Sequence, residues 1–210
     1  MTTGTPDASQ EMAHETTAAA ARIGPFADPA WSTPHGLPPF EDIVPAHYLP
    51  AFEAALASHR AEIDAIAAET APATFANTVA ALERAGHDLD RVASVFFNLS
   101  GSHTNPELQA VERAITPRLA RHGSAIYLDA ALWARISAVD PGAEQLGPEE
   151  RRVLDRYRTR FRRSGADLAP EAKDRMAEIA ARMAELGTSF SQNLLADESE
   201  KKKLMVKEMQ

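Results

Sequence analysis

The stretch WSTPHGLPPFEDIVPAHYLPAFEAALASHRAEIDAI, residues 31–66, turns from a proline-studded arm into a long amphipathic helix. Pro34, Pro38, Pro39 and Pro45 fix φ and push each preceding residue towards extended conformations, so the arm is expected to be non-helical. Pro50 suits only a first helical turn, which predicts a helix start near His47 or Tyr48. From there Tyr48, Phe52, Leu56, His59, Ile63 and Ile66 recur every three or four residues as one apolar stripe. The arm is expected to strap its aromatics, Trp31 and Phe40, onto a larger body.

Downstream the same helical period continues. Thr74 is placed to cap a short helix with Phe75, Val79 and Leu82 inward, stopping at Gly86. A third helix carries Leu89, Val92, Val95, Phe96 and Leu99, and ends in the polar run 100–104. Asn105-Pro106 restarts the chain as cap and first helical residue, and Pro117 is expected to kink the helix that follows. Asp129 caps the next, Pro148 opens another that Gly165 closes, and the last begins at Pro170. Its stripe of Met176, Ile179, Met183, Leu186, Phe190 and Leu194 reads as core packing ahead of a ligand groove. No stretch alternates with period two, so the fold class is all-α, built from antiparallel helix hairpins.

Residues 1–25 are polar, small and aperiodic, and read as a disordered leader with too little apolar area to offset ordering entropy. At the other end composition switches. Through Glu198 the chain holds one lysine, Lys173, against seventeen arginines, whereas SEKKKLMVKEMQ (199–210) holds four lysines and no arginine. A shifted reading frame or an unnatural end would produce such a switch; a natural charged tail is the alternative.

A chain of 210 residues suits one domain, able to bury about 70% of its unfolded surface. It contains no cysteine, which excludes disulfides and thiolate-bound zinc and fits a cytoplasmic setting. The net charge of −8 argues against nucleic acid as the main partner. No apolar run approaches membrane-spanning length, and no secretory signal is visible.

Candidate chemistry is sparse. A zinc-protease helix needs His-Glu-x-x-His, which places two ligands on one face with the glutamate as base. His14-Glu15 is followed by Ala18 at the second ligand position, so the motif is broken. His47 and His59 share a helix but lie about 120° apart around its axis. His59 falls on the apolar stripe, as a core or boundary histidine. His35, His87, His103 and His122 show no ligand spacing. Ser102 and Ser124 lack the glycines of a nucleophile elbow. Glu149-Glu150 suits a helix N-terminus, and Asp197-Glu198 sits near a helix end. Seven arginines and one aspartate between Arg151 and Arg163 give a local charge of +6, on a solvated or interdomain face or meeting an acidic partner. The residues themselves predict no catalytic, cofactor or metal site.

Several motifs in order add to this reading: Trp31-Ser-Thr-Pro34 with Pro38-Pro39-Phe40, His47-Tyr48-Leu-Pro50-Ala-Phe52, and Thr74-Phe75-Ala-Asn77-Thr78 leading to Leu82-Glu83. Val95-Phe96-Phe97-Asn98-Leu99 and Phe190-Ser191-Gln192-Asn193-Leu194 follow. With these, the chain resembles the N-terminal region of the thimet-oligopeptidase-like zinc metallopeptidases, of the bacterial peptidyl-dipeptidase (dipeptidyl carboxypeptidase) and oligopeptidase A type. The resemblance covers roughly residues 26–198. It implies the opening part of a two-half helical peptidase with a deep channel for short peptides, this chain (26–198) forming channel wall. In that family zinc is held by a His-Glu-x-x-His helix and a downstream glutamate, and none of those positions exists here. The expectation is therefore a fragment inactive alone, with 199–210 an aberrant tail and the catalytic half missing. The alternative is a self-standing helical interaction protein binding a peptide or acidic partner through Arg151–Arg163.

Overall fold

The computed structural model describes residues 21–208. Among these there is no strand. Two 3-10 turns, Gly24–Ala27 and Pro34–Gly36, precede α1 (Pro45–Ala68), and a π-helical turn, Phe75–Val79, leads into α2 (Ala80–Arg84). Then come α3 (His87–Ser102), α4 (Pro106–Tyr127), α5 (Ala130–Ala138), α6 (Pro148–Arg163) and α7 (Pro170–Glu208). The expected all-α class is what the chain adopts.

The first helix begins earlier than its prolines suggested. Pro45 takes the first helical position behind an extended Val44, so Pro50 lies inside the helix rather than in its first turn. A proline at the first position loses no bond, because its missing N–H would be unpaired anyway. The Val44 N–H instead donates to His47 Nδ1 at 3.2 Å.

Helix α1 is long enough to serve two hydrophobic clusters. Tyr48, Phe52 and Ala55 pack with Phe26, Val92, Phe96, Leu108 and Ile115 in the first. Ile63, two turns on, packs with Val79, Leu132, Ile136, Leu154 and Phe161 in the second. Aromatic edges knit the first cluster: Tyr48 to Phe96 at 5.0 Å and Phe52 to Phe96 at 5.5 Å between centroids. Full burial of such side chains contributes about 1.5–3 kcal/mol each. In the second, Trp133 stacks on Phe161 at 5.9 Å.

The arm divides in its behaviour. Trp31 packs against the first cluster, donates from Nε1 to the Pro25 carbonyl at 3.1 Å, and lies under the Arg91 guanidinium at 4.3 Å. Phe40 does not follow it: with Leu37 and Val44 it remains exposed. The expected leader falls outside the described residues up to position 20. Beyond that, Gly24–Ala27 is ordered into its turn and Phe26 is buried.

Most punctuation behaves as local chemistry dictates. Thr74 Oγ1 accepts the Asn77 N–H, Asn105 Oδ1 the Leu108 N–H, and Asp129 Oδ1 the Leu132 N–H. Each supplies an acceptor for an orphan first-turn donor. Gly86 and Gly165 stand at φ 84 and 99, the left-handed region that lets a chain leave a helix. Helix α4 runs on through Pro117. A cap from far away was not visible in sequence: the Glu144 carboxylate accepts the Phe75 N–H at 2.9 Å, across 69 residues.

The last helix overturns one expectation. Its inner face, packed along α4, consists of small or polar residues, with Ala181 and Thr188 buried and Gln192 donating to the Gln109 carbonyl. The large stripe from Met176 to Leu194 faces outward instead of entering the core. Small side chains let two helix axes approach closely, and the outer face is left with the bulk. Helix α7 continues past Glu198 to Glu208.

Candidate functional site

Where the two clusters adjoin, α1 and α4 meet through polar groups. His59 follows Ala55 and precedes Ile63, and His122 follows Ile115 and precedes Ile126, so each stands between the two cores. Their rings approach with His59 Nδ1 and His122 Nε2 3.0 Å apart and centroids at 4.9 Å. At that distance one ring nitrogen donates and the other accepts, which needs at least one neutral imidazole. Burial pushes both histidines below their ordinary pKa. Glu62 and Asp90 partly oppose this at His59, whereas His59 and Arg60 add to it at His122.

A third element closes the junction. Gly86, in front of α3, donates its N–H to Glu62 Oε2 at 2.6 Å. A Cβ on Gly86 would sit 2.9 Å from His59 Cε1. The pair is therefore a polar tie among α1, α3 and α4. It was invisible in sequence because its members lie 63 residues apart. Among the described residues, no three histidine, aspartate or glutamate side chains are grouped to hold a metal ion.

The other singled-out residues have local occupations. His14 lies outside the described residues. His35 stands at φ 63 in a 3-10 turn, and His47 accepts at the start of α1. His87 and His103 are exposed. Ser102 donates back to the Asn98 carbonyl at 2.6 Å. Glu150 accepts the Gly147 N–H at 2.8 Å, as an N-terminal carboxylate should. Asp197 pairs with Lys201 at 2.8 Å.

The arginines of α6 are largely employed by the fold itself. Arg158 donates to the carbonyls of Ser137 and Val139 at 3.0 and 2.6 Å, closing the C-terminus of α5. Arg151 donates to the Leu146 carbonyl at 2.8 Å. Arg160 covers Tyr127 at 4.6 Å and Arg162 covers Trp133 at 5.5 Å. Of the seven, Arg152, Arg156 and Arg163 have no hydrogen bond, ion pair or aromatic face beneath them among the described residues. What remains of the +6 stretch is exposed to solvent.

The comparisons with known proteins bear on what this body is part of. The chain is 41% identical over 165 residues to dipeptidyl carboxypeptidase of Salmonella typhimurium, a match that covers 78% of this chain and 24% of that protein. The Escherichia coli dipeptidyl carboxypeptidase is 39% identical over the same shares. Oligopeptidase A of Escherichia coli is 30% identical, again over 165 residues. No family model matches the chain. Over most of its length, then, this chain is similar to dipeptidyl carboxypeptidases and oligopeptidase A, and it spans about a quarter of the length of those relatives.

Proposed function

We propose that this chain is the N-terminal helical region of a zinc metallopeptidase of the peptidyl-dipeptidase and oligopeptidase A type. In that reading it walls the channel that admits short peptides, and the residues that hydrolyse them lie outside it. The complete protein would remove C-terminal dipeptides or cut short oligopeptides, in the cytoplasm. The observation that carries the reading is the 41% identity to a dipeptidyl carboxypeptidase across 78% of this chain.

The described residues do not fit the zinc of such an enzyme. His59 and His122 spend their facing nitrogens on each other, and the nearby Glu62 is committed to the Gly86 N–H. Zinc in a catalytic site needs three protein ligands aimed at one point. No hydrolytic step is therefore assigned to side chains of this chain, whose part is shape.

The purified chain, supplied with zinc, is expected to leave a dansylated peptide intact. The DNA following its coding sequence, read in all three frames, is expected to encode a His-Glu-x-x-His helix. Chelator-sensitive cleavage that disappears in His59→Ala or His122→Ala would refute the proposal.

A further inference from the structure

His59 Nδ1 and His122 Nε2 face each other at 3.0 Å where α1 meets α4. An imidazole has two nitrogens, and the neutral ring carries a proton on one of them. The neutral pair therefore spreads its two protons over four nitrogens. Its hydrogen bond needs one proton between the facing nitrogens, and no more. The other proton sits on an outer nitrogen, either His59 Nε2 or His122 Nδ1. A first added proton fills the remaining outer nitrogen and leaves the contact intact. A second can enter only between the rings, where two N–H groups would then oppose each other.

The surroundings decide which ring holds the first charge. Burial disfavours charge on both; Glu62 and Asp90 offset it at His59, whereas the facing ring and Arg60 add to it at His122. Arg60 is itself held by Asp64 at 2.6 Å and by Asp129 at 3.4 Å. Other charged groups on the packed elements are placed elsewhere. Arg121 of α4 lines the groove against α7, Glu83 of α2 lies beside Tyr157, and His87 of α3 is exposed. The His59 ring is also backed by Gly86, where a Cβ would lie 2.9 Å from its Cε1 and 3.1 Å from each nitrogen. His59 has no room to turn away on that side. His122 is only half-buried, and a Cβ on the adjoining Gly123 would meet nothing within 4 Å.

We propose that the pair is a two-step proton latch. One proton is held on His59 with the contact intact, and a second drives the His122 ring into solvent and unties α4 from α1. Two positive rings in contact repel, and sites coupled this strongly titrate as separate steps of the pair. The latch rests on the fold alone and is independent of the peptidase reading.

Ring proton and nitrogen NMR of the full 210-residue chain, followed from about pH 8 to about pH 4, tests it. His59 is expected to titrate first and His122 at least about one pH unit lower, with the amide spectrum dispersed through the first step. His122→Gln keeps an acceptor for His59 Nδ1 and removes the second step. His59→Gln removes the opposing charge, so His122 should titrate at higher pH than in the wild-type chain. A single step shared by both rings, His122 charging before His59, or loss of amide dispersion with the first step would overturn the proposal.

Discussion

His59 of α1 and His122 of α4 touch through their ring nitrogens, 3.0 Å apart, on the line that separates the two hydrophobic clusters. The contact makes stability depend on pH. An unfolded imidazole titrates near 6.5, and both histidines are pushed below that in the fold, mainly by burial. As pH falls through about 6.5 the unfolded chain takes up protons before the folded one, so unfolding becomes easier. The stability is fully present above about pH 6.5 and declines towards the lower folded values. Urea midpoints taken near pH 7.5 and near pH 5.5 should show the loss, and His122→Gln should flatten it. Equal midpoints would contradict this account.

Gly86 is a second weak place at the same junction. Alanine there must adopt φ 84 and set its Cβ 2.9 Å from the His59 ring. The expected cost of Gly86→Ala is about 1–3 kcal/mol. Part of it is steric and part conformational. In a His59→Ala background the steric part disappears, leaving about 1 kcal/mol. A thermodynamic cycle by chemical denaturation measures the difference.

Arg135 gathers the connection between α1 and the π-helical turn. It donates to the Glu69 and Ala71 carbonyls at 2.5 and 3.0 Å, and to Asn77 Oδ1 and Thr78 Oγ1 at 3.0 and 3.3 Å. Removing a charged donor from several acceptors leaves them unpaired, so Arg135→Met should cost at least about 2 kcal/mol. Lysine cannot reproduce a planar fork of donors, and Arg135→Lys should recover little of it. Hydrogen exchange at 69–78 should accelerate in both variants.

Phe161 is the closing residue of the second cluster, fully buried between Tyr127 at 5.1 Å and Trp133 at 5.9 Å. Phe161→Ala should destabilise by about 3–5 kcal/mol through lost transfer energy and the cavity left behind. Trp133 fluorescence should shift red as water reaches its ring. An unchanged spectrum with an intact midpoint would show that the packing is not as described.

Much of the helical order could be read in advance because it rests on local chemistry. Thr74, Asn105 and Asp129 accept the first-turn donors that their positions predicted, and Gly86 and Gly165 end what they were expected to end. Proline misled at the start of α1: the same fixed φ serves an extended arm and a first helical turn equally well at Pro45, and Pro50 therefore falls inside the helix. Periodicity misled at α7 for a different reason. It shows that Met176, Met183 and Phe190 share a side of the helix, but not whether that side meets the body. The small side, through Ala181 and Thr188, met it instead. The histidine pair had no local signal, since a contact across 63 residues depends on how α1 and α4 cross.

Because α1 contributes Phe52 to one cluster and Ile63 to the other, neither core owns its longest wall. Loosening either one frays a rod that the other also leans on, so the body should melt as a single unit and not as halves. Each half happens to contain its own reporter, Trp31 in the first and Trp133 in the second. In single-tryptophan variants, heating curves from the two indoles should superimpose.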